Sequence, residues 1–290
     1  MAPIPKIVVQ QNQDEEIKLF LSFLHHPYYQ RKRDDILRTF SDLQEKLNTV
    51  NDEKQAVAEF VSKYYKEHEG QISAIIETTK QLFEQKSASA LKTVAELMQY
   101  TWQADITYYA IPTILPFSPF HGNTFFFSIL GELKGKMQKD KNVLSVAIHE
   151  ISHFIFFDQI KKLTANKEIP EPPKETLDFI KEAVTAFMLN EEPLKTILGI
   201  EGYTGNPELK ELFVEAKDRK EPLVSHLQNL YHAKQQKGGD FFVDFVKETM
   251  MTFIPLNAEF IEKRRLWNKL GSSGKTDADK LEYAEPIRIA

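Results

Sequence analysis

The sequence predicts a mainly α fold, of the α+β class, in which a small mixed or antiparallel β-sheet precedes a central apolar helix. Apolar residues recur at helical spacing over residues 14–100 and again beyond residue 174. Between these regions, residues 102–135 are rich in aromatic and β-branched residues and are interrupted by prolines. A chain of 290 residues is long enough for one large domain or two modest ones.

Residues 1–101 are predicted to form an N-terminal helical subdomain. Their apolar residues are spaced three or four apart, with charged residues between them, as in amphipathic helices. This pattern occurs in five segments, IKLFLSFL, ILRTFSDLQEKL, AVAEFVSKYYKEH, ISAIIETTKQLF and ALKTVAELMQY. The run His25-His26-Pro27 is expected to end the first helix, because the residue before a proline disfavours helical backbone.

Short strands are predicted near Ile106–Ala110 and Thr124–Leu130. The second of these contains the run FFFSIL, which is apolar on both faces of a strand. We therefore expect this strand to be covered on both sides, or to receive a binding partner on its exposed side.

A long apolar helix follows and extends to about Leu163, and either Asn142 or Asp140 can cap its start. A second apolar helix is predicted over about Glu175–Asn190, with two prolines immediately before it. Residues 102–190 would form a central subdomain with the small sheet and these two helices, and residues 191–290 a C-terminal helical subdomain. The last twenty residues are turn-rich and are expected to be partly extended.

Composition narrows the possible functions. The chain has no cysteine, so any metal must be held by His, Asp or Glu. A net charge of −5 and a pI near 6.0 predict no nucleic-acid partner. No apolar run reaches the roughly 18–20 residues of a membrane span, so none is expected. The first residues do not resemble a signal peptide, which predicts a cytoplasmic protein, or a secreted one if a leader has been removed.

The run VAIHEISHFIFF places two histidines four residues apart in the most apolar part of the chain. His149-Glu150-Ile151-Ser152-His153 matches the pattern H-E-x-x-H. On a helix, positions i and i+4 share a face, so both imidazoles can reach one metal ion. Glu150 lies roughly 100° round the helix from His149 and can reach a metal-bound water without being a ligand. A metal would compensate the burial of these polar groups, which is otherwise costly.

A catalytic zinc ion usually has three protein ligands and one open position, so a third ligand is required. The extended pattern H-E-x-x-H-x-x-G-x-x-H is excluded, because Phe156 and Gln159 occupy its glycine and last histidine positions. The other arrangement takes a glutamate from a later helix, and Glu182 lies among apolar residues such as Phe179 and Ala186. The other candidates for the third ligand are Glu175, Glu191 and Glu192.

The pattern HEISH followed by a glutamate in KEAVTAF resembles the gluzincin branch of zinc metallopeptidases, to which thermolysin belongs. The resemblance covers roughly residues 105–190 and implies a zincin-like catalytic core. It implies one zinc ion per chain, bound by His149, His153 and Glu182, with Glu150 as general base and proton shuttle. It also implies an edge strand that pairs with an extended peptide, and the FFFSIL strand is the candidate.

Two features depart from the gluzincin pattern. Gluzincins often have an acid four residues beyond the glutamate ligand, where it orients a zinc histidine, and this chain has Ala186 there. They also use a downstream Tyr or His to stabilise the oxyanion. No local pattern selects that residue among Tyr203, His226, Tyr231 and His232.

These observations predict a zinc-dependent metallopeptidase that hydrolyses peptide bonds of a peptide or protein substrate through a zinc-bound water activated by Glu150. The alternative is a non-catalytic regulatory or binding protein on a peptidase-like, zinc-binding scaffold. The missing acid favours this alternative, whereas the intact Glu150 favours catalysis. A helical structural protein with an accidental motif would bind no stoichiometric metal.

Overall fold

The computed structural model describes residues 3–25, 30–135, 142–217, 219–270 and 277–289. Helices dominate the structure, and two small sheets accompany them. This confirms the predicted mainly α, α+β class and the mixed character of the sheet. Three predictions concern residues that lie wholly or partly outside these ranges: the helix end at His25-His26-Pro27, Asp140 as a helix cap, and the turn-rich last twenty residues.

The chain packs as two compact units. The first, called the N-terminal unit, comprises Pro5–Ala88 and Ala104–Lys139. The second, called the C-terminal unit, comprises Met1–Ile4, Ser89–Gln103 and Asp140–Ala290. This grouping differs from the predicted boundaries at residues 101 and 190. The sheet segment packs with the preceding helices, and the HEISH helix packs with the helices that follow it.

The N-terminal unit begins with strand β1 (Lys6–Val9), which the sequence analysis did not identify. Its helices are α1 (Gln13–His25), α2 (Gln30–Thr39), α3 (Ser41–Leu47), α4 (Glu53–Glu67), the first part of α5 (Glu69–Leu97) and the short α6 (Leu130–Leu133). The segment ILRTFSDLQEKL is divided between α2 and α3, whereas the last two periodic segments are joined in the single helix α5.

The sheet of the N-terminal unit contains β1, β2 (Thr107–Thr113), β3 (Phe120–His121) and β4 (Thr124–Ser128) in the order β1-β2-β4-β3. Strand β2 is parallel to both β1 and β4, and β3 is antiparallel to β4. Phe125, Phe126 and Phe127 are all buried, as expected for a strand covered on both faces.

The expectation that the FFFSIL strand offers a free edge to a peptide is wrong. Strand β4 lies between β2 and β3, and the segment before β3 covers its outer side. The Phe126 amide donates to the Pro119 carbonyl at 2.8 Å, and the Ser128 amide donates to Ser118 Oγ at 3.1 Å. The backbone groups that would pair with a peptide are therefore already satisfied within the chain.

The C-terminal unit contains the last part of α5 and seven further helices. They are α7 (Val143–Ala165), α8 (Lys174–Met188), α9 (Leu194–Leu198), α10 (Leu223–Lys237), α11 (Phe241–Phe253), α12 (Asn257–Leu270) and α13 (Asp277–Tyr283). A second sheet has the order β6 (Arg219–Pro222), β5 (Phe213–Ala216), β7 (Ile287–Ile289). Residues 213–216, expected to be helical, form strand β5, whereas the extended β7 agrees with the expected character of the tail.

Helix α7 is the central helix of this unit. Asn142 caps it, because its side chain accepts from the Ser145 amide at 2.9 Å and Ser145 Oγ accepts from the Asn142 amide at 3.0 Å. By length and composition α7 could cross a membrane, but 72% of its most apolar window is buried inside the protein. A core helix of a soluble protein passes the same test. Helix α8 packs against α7, α10 and α12.

A buried carboxyl group ties α1 to the end of β2 in the N-terminal unit. Glu16 is fully buried, and its Oε1 accepts from Thr113 Oγ1 and from the Ile114 amide, each at 2.9 Å. Its Oε2 has no hydrogen-bond partner among the described residues. Burial raises the pKa of Glu16 from 4.5 to about 7, although both hydrogen bonds act in the opposite direction.

This raised pKa predicts a loss of stability as the pH rises. Between pH 4.5 and about 7 the unfolded chain has released the proton that folded Glu16 retains, so the free energy of unfolding falls. We expect Glu16→Gln to gain roughly 2 kcal/mol relative to wild type between pH 5 and pH 8. Denaturant unfolding at both pH values measures this difference.

The matched control is Glu15→Gln, which changes a partly exposed glutamate of the same helix. Its stability relative to wild type is expected to be nearly independent of pH. A Glu16→Gln variant whose relative stability is the same at pH 5 and pH 8 would contradict the assignment.

Candidate metal centre

Two histidines of α7 and one glutamate of α8 converge in the C-terminal unit. One possible ligand atom from each of His149, His153 and Glu182 lies within 4.8 Å of the other two. His153 Nε2 is 3.2 Å from Glu182 Oε1, and His149 Nε2 is 3.5 Å from Glu182 Oε2. The structure thus brings together the three predicted ligands, and they could hold a metal ion.

The convergence follows from helical spacing and from the packing of the two helices. His149 and His153 lie one turn apart on α7, and their ring centroids are 4.4 Å apart. His153 is 1% exposed and His149 is 9% exposed, so both imidazoles lie in the interior. The side chain of Glu182 is 15% exposed, which leaves one side of the cluster accessible.

Each histidine has a hydroxyl partner at its second ring nitrogen. Tyr203 Oη is 2.9 Å from His149 Nδ1, and Thr185 Oγ1 is 3.1 Å from His153 Nδ1. When each Nδ1–H donates to its hydroxyl, Nε2 has a free lone pair directed at the cluster. Metal-binding histidines in proteins almost always have such a partner, because it fixes the tautomer and the ring orientation.

The charge states of the cluster suit a metal. Burial lowers the pKa of His153 to about 3, so its imidazole is neutral at pH 7. Burial alone would raise the pKa of Glu182, but the ammonium charge of Lys181 and hydrogen bonds from the two imidazoles hold it well below its usual range. A neutral imidazole and an ionised carboxylate are the protonation states that metal binding requires.

Glu150 lies beside the cluster without being part of it. Its Oε1 is 3.9 Å from His149 Nε2, and the residue is 5% exposed. Burial raises the pKa of Glu150 to about 7. Its Oε2 is buried and has no hydrogen-bond partner in the part of the chain that the structure describes. Such an oxygen is costly unless it is hydrogen-bonded.

The alternative glutamates have partners outside the cluster. Glu175 Oε2 is 3.2 Å from Arg264 Nε, and Glu192 Oε2 accepts from Thr196 Oγ1 at 2.7 Å. Glu191 Oε1 accepts from Gln228 Nε2 at 2.8 Å and contacts His232 Nε2 at 2.9 Å. Glu182 is therefore the candidate that the structure places with the two histidines.

Of the four candidates for the oxyanion-stabilising residue, Tyr203 is the one that contacts a cluster histidine. That contact is with Nδ1, which makes the hydroxyl a partner of the imidazole. The other three bind elsewhere: His226 pairs with Glu221 at 2.8 Å, Tyr231 donates to the Leu97 carbonyl at 2.8 Å, and His232 pairs with Glu191. The identity of the oxyanion-stabilising group stays a prediction.

Ala186, four residues beyond Glu182, is closely packed against the loop that follows α8. Gly205 has a φ of +65°, and a Cβ at this glycine would lie 2.9 Å from the Cβ of Ala186. The backbone of the following loop thus occupies the space beside position 186, and a larger side chain would displace it. Tyr203, two residues before Gly205, supplies the partner of His149 instead.

Asn190 fixes this loop onto the end of α8. Its Nδ2 donates to the carbonyls of Ala186 at 2.8 Å and Tyr203 at 2.7 Å, and its Oδ1 accepts from the Tyr203 amide at 2.7 Å. The sequence analysis named Tyr203 only as an oxyanion candidate and missed Asn190 and Thr185. The glycines on either side of Tyr203, at 202 and 205, were the available signal of a tightly packed loop.

No protein-family model, curated protein or solved structure matches this chain. Function is therefore inferred from the geometry of the cluster and from the residues around it.

We expect Tyr203→Phe to weaken metal binding by about 10- to 100-fold, because His149 loses the partner that orients it. A competition titration against a chromophoric zinc chelator measures the change. The matched control is Tyr231→Phe, which also removes a buried tyrosine hydroxyl but one bound to the Leu97 carbonyl. Equal metal affinities in the two variants would contradict the role given to Tyr203.

Proposed function

We propose that this chain is a zinc-dependent metallopeptidase of the gluzincin type, with a peptide or protein as substrate. One observation carries the proposal: His149, His153 and Glu182 lie within metal-binding distance of one another, with the buried carboxyl group of Glu150 beside them. A cluster built only for packing would not require a second buried carboxyl group at this point.

The donor set supports zinc as the metal. Two imidazoles and one carboxylate form the His₂Glu set of catalytic zinc sites, which leaves a fourth position open. Imidazole ligands also suit copper, iron and nickel, so the donor types favour a transition metal over calcium or magnesium. The partners at both Nδ1 atoms support zinc binding through Nε2 on each histidine.

Glu150 would act as general base and proton shuttle. It is a buried carboxyl group beside the two histidines, where it can accept a proton and return it. Its unpaired Oε2 is available to accept a proton from the attacking water and to donate it to the leaving amine. Zinc at this site would supply Lewis acidity, which lowers the pKa of a water molecule and polarises a peptide carbonyl.

One observation favours a non-catalytic regulatory or binding protein as the second candidate. Each of the four candidates for oxyanion stabilisation has its side-chain polar group on another group of the protein. The hydroxyl group of Tyr203 contacts Nδ1 of His149, on the side of the ring opposite to the cluster. A protein of this kind would retain the metal and lack turnover.

Glu150→Gln separates these two functions. If the protein is a peptidase, the variant retains about one zinc per chain and loses hydrolysis by about 10²- to 10⁴-fold, because an amide cannot accept the proton. Hydrolysis is measured with a library of fluorescence-quenched peptides, and zinc by elemental analysis. The matched control is Glu175→Gln, in which the altered glutamate pairs with Arg264 outside the cluster.

The control variant is expected to hydrolyse peptides at the wild-type rate. A Glu150→Gln variant that retained the wild-type rate would refute the general-base role. A zinc-loaded wild-type protein without turnover on any peptide of the library would support the non-catalytic alternative.

A further inference from the structure

Lys181, the residue before the glutamate ligand, contributes a buried positive charge to the site. Its Nζ lies 2.5 Å from Glu182 Oε1, and the residue is 8% exposed. The gluzincin resemblance assigns no function to this position. Glu182 therefore has two oxygens in different environments: Oε1 contacts Lys181 and His153, and Oε2 faces His149.

This contact is not the default arrangement of a helix. Consecutive residues project roughly 100° apart around a helix, so their side chains do not normally face each other. A lysine on a surface helix usually extends its ammonium group into water. Lys181 instead turns toward its neighbour and stays in the interior, where a lysine is rarely found unless it is paired.

The neighbouring carboxylates favour an arrangement in which the Lys181 ammonium group stays beside Glu182 when a metal is bound. Glu150, Asp178 and Glu182 all attract its ammonium group, and Asp178 lies one turn earlier on α8. A divalent ion at the cluster would be attracted by Glu150 and Glu182, whereas the charge of Asp178 would still attract the lysine. The ammonium group and the metal can therefore bind the same carboxylate through different oxygens.

We propose that Lys181 is a positioning residue, which holds Oε1 of Glu182 so that the carboxylate binds the metal through Oε2 alone. This inference rests on the proposed metal site. A carboxylate held at one oxygen has less freedom to rotate, and it occupies one coordination position in place of two. The metal would then keep an open position for water or substrate, as a catalytic zinc site requires.

The test compares metal binding by wild type, Lys181→Met and Lys247→Met. Lys247 is the matched control, because its ion pair with Glu168, at 3.2 Å, is more exposed. Zinc affinity is measured by competition with a chelator, and cobalt(II) is substituted to report coordination. Four-coordinate cobalt absorbs visible light more strongly than five-coordinate cobalt, so its spectrum distinguishes one bound oxygen from two.

We expect Lys181→Met to bind zinc about tenfold more weakly and to show weaker cobalt absorption, as Glu182 binds through both oxygens. Lys247→Met should match wild type in both measurements. If Lys181→Met does not fold, Lys181→Gln, which also removes the charge, replaces it in the same comparison.

An unchanged or tighter zinc affinity in the Lys181 variant would overturn the proposal, because it would show that the metal simply displaces the lysine. A weaker affinity with an unchanged cobalt spectrum would also overturn it, since the lysine would then act without altering coordination. If the wild-type protein binds no metal, both the proposed function and this inference are refuted. If wild type binds metal but the Lys181 variant does not behave as expected, only this inference is refuted.

Discussion

The packing of α7 against α8 is the contact on which the proposed chemistry depends. It places two imidazoles and a carboxylate within 4.8 Å of one another in the protein interior, with a second carboxyl group beside them. Burial of so many ionisable groups is unfavourable unless they are paired or bind a metal. The two hydroxyl partners and Lys181 offset part of this cost, and the unpaired oxygen of Glu150 shows that some of it remains.

Segments that are distant in sequence contact the loop that carries Tyr203 and the 3₁₀ turn that follows it. The loop that carries Tyr203 is fixed by Asn190 and continues into a 3₁₀ turn at Pro207–Glu211. Glu208 in that turn pairs with Arg264 of α12 at 2.5 Å, and its carbonyl accepts from Tyr283 Oη at 2.7 Å. Arg264 also contacts Glu175 of α8. Arg264 therefore connects the 3₁₀ turn to the start of α8.

Local patterns in the sequence predicted those parts of the structure that local forces determine. Helical periodicity identified α7 and α8, the Asn142 cap followed from its position, and the four-residue spacing of His149 and His153 placed them on one face. Glu182 was found because a carboxylate among apolar neighbours on a buried helix requires a partner.

Contacts between distant segments could not be predicted in this way. The pairing of β5 with β6 and β7, and of β1 with β2, depends on residues that only folding brings together. The role of Tyr203 depends on a loop 54 residues beyond His149, and the covered edge of β4 depends on the segment before β3. The contact of Lys181 with Glu182 contradicts the usual direction of adjacent helical side chains, so periodicity alone does not predict it.

The most direct test of this account is the metal content of protein purified without added zinc or chelator. Wild type, Glu182→Ala and Glu175→Ala are analysed together by elemental analysis, since both glutamates lie on α8 but only Glu182 lies in the cluster. We expect about one zinc per chain in wild type and in Glu175→Ala, and a sharp reduction in Glu182→Ala. Wild-type protein that contains no metal and cannot take it up would contradict the central claim.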